Sequence, residues 1–340
     1  MTRLTKVSML AGLMLTTAVS AQAVELTVGL PSAHNFYGMH LYVAEAKGLI
    51  GDVTLSYEIY KGGSEVLKQV ANGSADIGFA QPTDVMITRL ATGGEALPIN
   101  YWYLLETRTT NQIAVPVDSD IQSIADLAGK AIGISSPTAS NVVQFRHVLE
   151  LYGINPDTDV VWRPVGLGAG HMLALRDGTV QVSATNNMRH ASYIQNGLPL
   201  RIIPVPETED HFGNALFSSH SVLESEEGKA ALVAVAKGVA QASQFCEAEP
   251  EECVKVVFEM FPEVMSSEYT DEQNLAYGLS QVSARNASAA LREDQNGQYG
   301  FFPESVWTSS VDFLVKTGAI PAAIPATDLY TNEIVEAAGL

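Results

Sequence analysis

One unit recurs along this chain: a short apolar run, a tight polar junction, then an amphipathic stretch stopped by glycine. Val24-Glu25-Leu26-Thr27-Val28-Gly29-Leu30-Pro31 opens the series. Lys47-Gly48-Leu49, Lys61-Gly62-Gly63-Ser64 and Asn72-Gly73-Ser74-Ala75-Asp76-Ile77-Gly78-Phe79-Ala80 punctuate the next fifty residues or so. Alternation of apolar strands with helical runs is the pattern of an α/β chain built on a parallel sheet. Such a sheet gathers loops and helix N-termini at one edge, where ligands bind. The pattern points to capture of a small molecule rather than to a catalytic constellation.

In the first unit, strands are expected over Leu26–Leu30, Val53–Tyr60, Ala75–Ala80 and Pro98–Leu105, with helices over Tyr37–Lys47, Ser64–Ala71 and Asp84–Ala91. Gln112–Asp118 leaves that unit. A second unit comes next, with strands Lys130–Ser135, Asp159–Val165, Val180–Thr185 and Leu200–Val205 separated by helices Asn141–Tyr152, Gly170–Arg176 and Asn187–Gln195. The stretch from Gly63 to Ile77 runs parallel to that from Gly168 to Val182: a glycine opening, a helix, an Asn-Gly or Asp-Gly stop, and a buried strand.

Beyond Pro204–Pro206 the chain returns to the first unit through Asn214–Val222. It ends in helices over Glu226–Phe245, Glu251–Phe261, Asp271–Asn286 and Glu304–Thr317. The expected organisation is a leader (1–23), a discontinuous first lobe (24–108 and 212–340) and a second lobe (109–211). Two crossings would form the hinge, with ligand in the cleft between lobes.

Four strand-to-helix junctions should converge on that cleft: Ser32-Ala33-His34-Asn35-Phe36-Tyr37, Gln81-Pro82-Thr83-Asp84, Ser135-Ser136-Pro137-Thr138 and Thr185-Asn186-Asn187. Helix N-termini offer unpaired N–H groups and partial positive charge, and hydroxyl or amide side chains beside them add donors. The same residue types are what any helix start prefers, so capping is the competing role. His34, Phe36 and Tyr37 could wall a ring-shaped ligand or begin a core face. Arg108, Arg163 and Arg189 are possible anion partners, although most arginines are solvated.

The first 23 residues read as an export signal. Arg3 and Lys6 form its basic start, Met9 to Val19 its apolar stretch, and Ala21-Gln22-Ala23 its cleavage site. The whole chain carries 19 basic against 38 acidic residues, for a net charge of −19. That balance argues against nucleic acid or an anionic membrane surface as partner. In an oxidising compartment Cys246 and Cys253, the only cysteines, are expected to form a local disulfide across the Pro250 turn.

Enzyme signatures are missing: there is no Gly-x-Ser-x-Gly, His-Glu-x-x-His, Gly-x-x-x-x-Gly-Lys or Gly-x-Gly-x-x-Gly. Gly166-Leu167-Gly168-Ala169-Gly170 lacks the spaced third glycine of a dinucleotide loop. The seven histidines show no metal-ligand spacing, and nothing calls for a cofactor.

Ala44-Glu45-Ala46-Lys47-Gly48-Leu49, Lys61-Gly62-Gly63-Ser64, Asn72-Gly73-Ser74-Ala75-Asp76-Ile77-Gly78 and the run Asp118-Ser119-Asp120-Ile121 to Gly129-Lys130, Ile132-Gly133-Ile134 carry a resemblance. They resemble the solute-binding proteins of ATP-driven (ABC) importers, in the nitrate/sulfonate/taurine and thiamine-pyrimidine-precursor branch. The resemblance implies a type II periplasmic binding-protein fold, a monomer whose two lobes close on one solute and then dock on an inner-membrane permease. It implies ligand contacts at Ser32, Asn35, Gln81, Ser135, Ser136 and Thr138, and more weakly at Asn186 and Asn187. None of the four junctions holds an Arg or Lys, which argues against nitrate or a simple sulfonate, and His34, Phe36 and Tyr37 turn the expectation toward a small organic solute, anionic or heteroaromatic. A pyrimidine-forming enzyme on the same fold, with His34 as its reactive group, and a sensor docking on a signalling receptor are the alternatives.

Overall fold

The computed structural model describes residues 23–91, 97–137, 139–209, 211–295 and 297–340. The expected leader, up to residue 22, and Thr138 lie outside them. In chain order the strands are β1 (Val24–Leu30), β2 (Val53–Ile59), β3 (Ile77–Ala80), β4 (Ile99–Leu104), β5 (Asn111–Pro116), β6 (Ala131–Ile134), β7 (Val161–Pro164), β8 (Val182–Asn186), β9 (Leu200–Ile203) and β10 (Ala215–Ser219). The helices are α1 (Met39–Ala46), α2 (Gly63–Ala71), α3 (Pro82–Ala91), α4 (Ser140–Leu151), α5 (Ala169–Arg176), α6 (Asn187–Gln195) and α7 (Pro206–Glu209). After the second crossing come α8 (His220–Glu224), α9 (Glu226–Ala248), α10 (Pro250–Met260), α11 (Asp271–Ala289), α12 (Glu304–Lys316) and α13 (Glu333–Ala338).

The strands form two five-stranded sheets, ordered β2-β1-β3-β10-β4 and β7-β6-β8-β5-β9. Each sheet is the floor of one α/β lobe. The sheets are mixed, which corrects the expectation of a parallel sheet. β10 runs antiparallel to β3 and β4, and β5 runs antiparallel to β8 and β9. Each antiparallel strand follows a crossing between lobes, so it enters its sheet from the opposite end. Gly78 on β3 makes room for this: a Cβ there would run into the Phe217 ring of β10.

Local chemistry sets the element ends. The Asn-Gly and Asp-Gly stops behave as read from sequence, with Gly73 at φ 80° and Gly178 at φ 77° in the left-handed region. Asn186 caps α6, Ser225 caps α9, and Thr270 with Gln273 forms a capping box on α11. Pro250 opens α10, and Cys246 and Cys253 are bonded across that corner. No helix among the described residues is long and apolar enough to cross a membrane.

The two crossings lie side by side. Leu105 N and Glu106 N donate to Asn214 O at 3.2 and 3.0 Å, and Gly213 N donates to Glu106 O at 3.0 Å. Helix α11 is anchored against them. Thr107 Oγ1 donates to Ser288 O and Ala290 O, while Asn187 Nδ2 reaches Ala284 O and Ser288 Oγ. Gln281 Nε2 donates to Met188 O. One helix thus touches the first lobe, the hinge and the start of α6 in the second lobe.

Candidate functional site

The first junction lies where β1 ends. Asn35 Oδ1 accepts from Tyr37 N at 2.7 Å to start the 3₁₀ turn Phe36–Gly38, and its Nδ2 donates to Ser32 Oγ and Ala33 O. Phe36 turns inward. It is 0 % exposed and packs edge-on against Phe258 and Tyr277, so of the two roles open to it core packing is the one it takes. Its ring is simply on the inner side of a turn that α10 and α11 cover. His34 stacks on Phe261 with 3.8 Å between ring centroids, and its Nδ1 is 3.3 Å from Tyr42 Oη. Burial draws the His34 imidazole below its ordinary value, against the pull of the Glu263 carboxylate.

Tyr37 points the other way, against Phe79 and over the guanidinium of Arg285. Arg285 is 0 % exposed, ion-paired through Nη1 to Glu106 Oε1, and lies 5.7 Å from the Phe79 ring centroid. Glu106 Oε2 in turn accepts from Asn214 N and Nδ2 at 2.7 and 2.5 Å. Burial, and next the Glu106 carboxylate, raise the Tyr37 phenol so that it stays protonated.

Gln81 and Asn186 meet through Asn111. Asn111 Nδ2 donates to Gln81 Oε1 at 3.3 Å and to Gln144 Oε1 at 2.8 Å, and Asn111 pairs with Asn186 across the sheet. Asn186 Oδ1 accepts from Arg189 N, and Asn187 is committed to α11, so both amides hold helix ends. Ser135 and Ser136 are half-buried behind β6, and Thr83 is half-buried in the first turn of α3. Thr138 falls outside the described residues.

A groove of about 350 Å³ opens between the lobes. One wall is Leu167–Ala169, Met172 and the α6 residues Arg189 and Tyr193; the other is Glu263–Ser266, Tyr269 and Tyr277. Of the candidate residues Arg189 lines it, and among the described residues none of the four junctions does: His34 stacks on Phe261, two residues before Glu263, and Asn186 lies three residues before Arg189. Gln81, Ser135 and Ser136 do not line it. Arg189 makes no side-chain hydrogen bond or ion pair among the described residues. Its charge reaches phenols of both lobes. Burial pushes Tyr193 up to about 12 and raises Tyr37 and Tyr277, and in all three Arg189 opposes the rise.

The cationic group that the junctions lack is therefore present two residues beyond the fourth. Asn186 fixes it there, because capping by its side chain sets the first turn on which Arg189 sits. Arg189 was among the candidate anion partners; Glu263, Tyr269 and Tyr277 were not anticipated. They come from the turn after α10, the approach to α11 and α11 itself, where no junction pattern marks them. Among the described residues no group of three or more His, Cys, Asp or Glu could hold a metal ion.

A family model described as NMT1/THI5 like matches residues 35–253. The chain belongs to that family. The fold agrees with solved structures at low identity. A protein from Bordetella bronchiseptica RB50 superposes with a TM-score of 0.65 at 19% identity, covering 94% of this chain and 98% of the other. The alkanesulfonate-binding protein SsuA from Xanthomonas axonopodis pv. citri, bound to MOPS, gives 0.62 at 16% identity, covering 92% and 99%. The periplasmic nitrate-binding protein NrtA from Synechocystis PCC 6803 gives 0.61 at 14% identity, covering 94% and 89%. A search of curated proteins by sequence finds no match to this chain. The two α/β lobes and double crossing are a type II periplasmic binding-protein fold, as the sequence resemblance implied.

Proposed function

We propose that this chain is the exported solute-binding component of an ABC importer. It captures a small organic anion in the inter-lobe groove and delivers it to an inner-membrane permease. Family membership and the fold support the binding role, and sulfonate- and nitrate-binding proteins among its structural neighbours support an anion. The observation that carries the reading is Arg189, an unpaired guanidinium on one wall of a groove whose two walls belong to different lobes. A groove of about 350 Å³ has the size of a small-molecule site. Closure over a bound solute would strip water from the Arg189 contact and strengthen it.

The export signal and the acidic surface support a periplasmic monomer. Ser32, Gln81, Ser135 and Ser136 do not line this groove, so a solute held at the junction edge by them and Thr138, as neutral donors, is the competing placement. Native mass spectrometry of the gently purified mature protein, followed by release of the adduct, identifies the solute. Titration calorimetry then tests the site. Arg189→Gln should weaken binding by roughly tenfold to a hundredfold, the worth of a charge-assisted bond. Unchanged affinity in that variant removes the groove from the function. The double variant S136A/T138A should lose about 1–3 kcal/mol if those hydroxyls bond the solute.

A further inference from the structure

Resting on that reading, we infer that the solute is a zwitterion whose second end is an N-alkylated ammonium group. The groove holds two charges of opposite sign on opposite lobes: Arg189 on α6 and Glu263 ahead of α11. Like Arg189, Glu263 has no hydrogen-bond or ion-pair partner among the described residues. A simple anion would satisfy Arg189 and be repelled by Glu263. A simple cation would meet the reverse. A molecule carrying both charges satisfies both walls, and occupancy would then favour the closed arrangement that brings them together.

The rest of the lining decides the type of cation. Tyr193, Tyr269, Tyr277, Met172 and Met265 supply rings and thioethers. Tyr193 Oη already donates to Leu167 O, and Tyr269 Oη to Asn196 Oδ1. The carbonyls of Gly168 and Ser266 accept from His171 N and Asn274 Nδ2. These phenols and carbonyls keep lone pairs, so acceptor supply does not exclude a primary ammonium; the three rings and two thioethers are what favour an alkylated one. An alkylated ammonium has little or nothing to donate; it is held by aromatic faces and a nearby carboxylate. The charge of the whole molecule favours the same class. At −19 the protein repels a free anion at long range, whereas a zwitterion carries no net charge to repel.

The test is calorimetric, on the mature protein. One probe series is trimethylammonio-alkanoates and trimethylammonio-alkanesulfonates of increasing chain length. The other is their tert-butyl isosteres, in which carbon replaces the charged nitrogen. The zwitterions should bind at least tenfold more tightly than matched isosteres, and Glu263→Gln should bring the two series level. Glu263 is exposed, so the variant is expected to fold, and far-UV circular dichroism checks it. Isosteres binding as well as zwitterions to the unaltered protein overturn the inference while leaving the anion reading intact. Failure of both series, or Arg189→Gln leaving both unchanged, overturns the anion reading and the inference with it.

Discussion

Arg285 carries its charge into a place that water does not reach, and Glu106 meets it there. Removing one partner of such a pair strands the other in a low-dielectric interior, which typically costs about 3–5 kcal/mol. Arg285→Met should therefore lower the urea midpoint sharply, and Arg285→Met combined with Glu106→Leu should recover part of the loss. If both variants unfold at the same denaturant concentration as the parent, the pair contributes nothing. Residues of this kind were not legible in the sequence. Arg285 lies in an ordinary helical run, and its partner is on the far side of the second lobe in chain order. Arg189 was visible only as one arginine among several. The caps were legible, because Asn35, Asn186 and Thr270 act on backbone within three residues of themselves. The same locality limits what the caps reveal, since an amide that closes a helix end looks in sequence like one that holds a ligand.

Helix α11 shows what a single element can tie together. Its glycine, Gly278, lets it approach α10 closely: a Cβ there would lie 2.5 Å from Val254 Cγ1 and 3.2 Å from Phe36 Cζ. Gly278→Val should overpack that contact and destabilise by about 1–3 kcal/mol, read as a shift in denaturation midpoint. Across the neighbouring corner, the Cys246–Cys253 bond closes a small loop. Replacing both cysteines with alanine should cost about 2–3 kcal/mol in the chain-entropy model. A reduced protein as stable as the oxidised one would show that α9 and α10 hold the corner unaided. Every strand and long helix read from the sequence has a counterpart in the structure, offset by a few residues at its ends. What eluded the reading was direction. Antiparallel entry of β5 and β10 depends on where the crossings deliver the chain, and side-chain periodicity carries no information about that.

At the scale of the whole molecule, buried neutral histidines couple stability to pH. Burial, joined by the nearby His171, holds His190 at about 3, and His40 and His171 are also drawn down by burial. Below the ordinary value of 6.5 the unfolded chain takes up protons at these positions while the folded chain does not. Stability should be full above that value and should fall as pH drops, by about 1.4 kcal/mol per unit for each histidine kept neutral. For His190 the window runs from 6.5 down to about 3. Urea melts at pH 7.5 and 5.0 measure it, and His190→Gln, which keeps partners for Gln112 and Ser183, should flatten the slope. Equal midpoints at the two pH values would reject the coupling.

The sheet order carries a consequence for how the protein is made. β4 joins its own sheet only through β10, which is contributed after the entire second lobe has been synthesised. A chain emerging from a ribosome can complete the second lobe as one continuous piece. Until residue 219 is out, the first lobe must wait with the β3 edge bare and Tyr101, Trp102 and Tyr103 of β4 unpaired. The lobe that begins first finishes last, so the interval most exposed to aggregation is a matter of timing during synthesis.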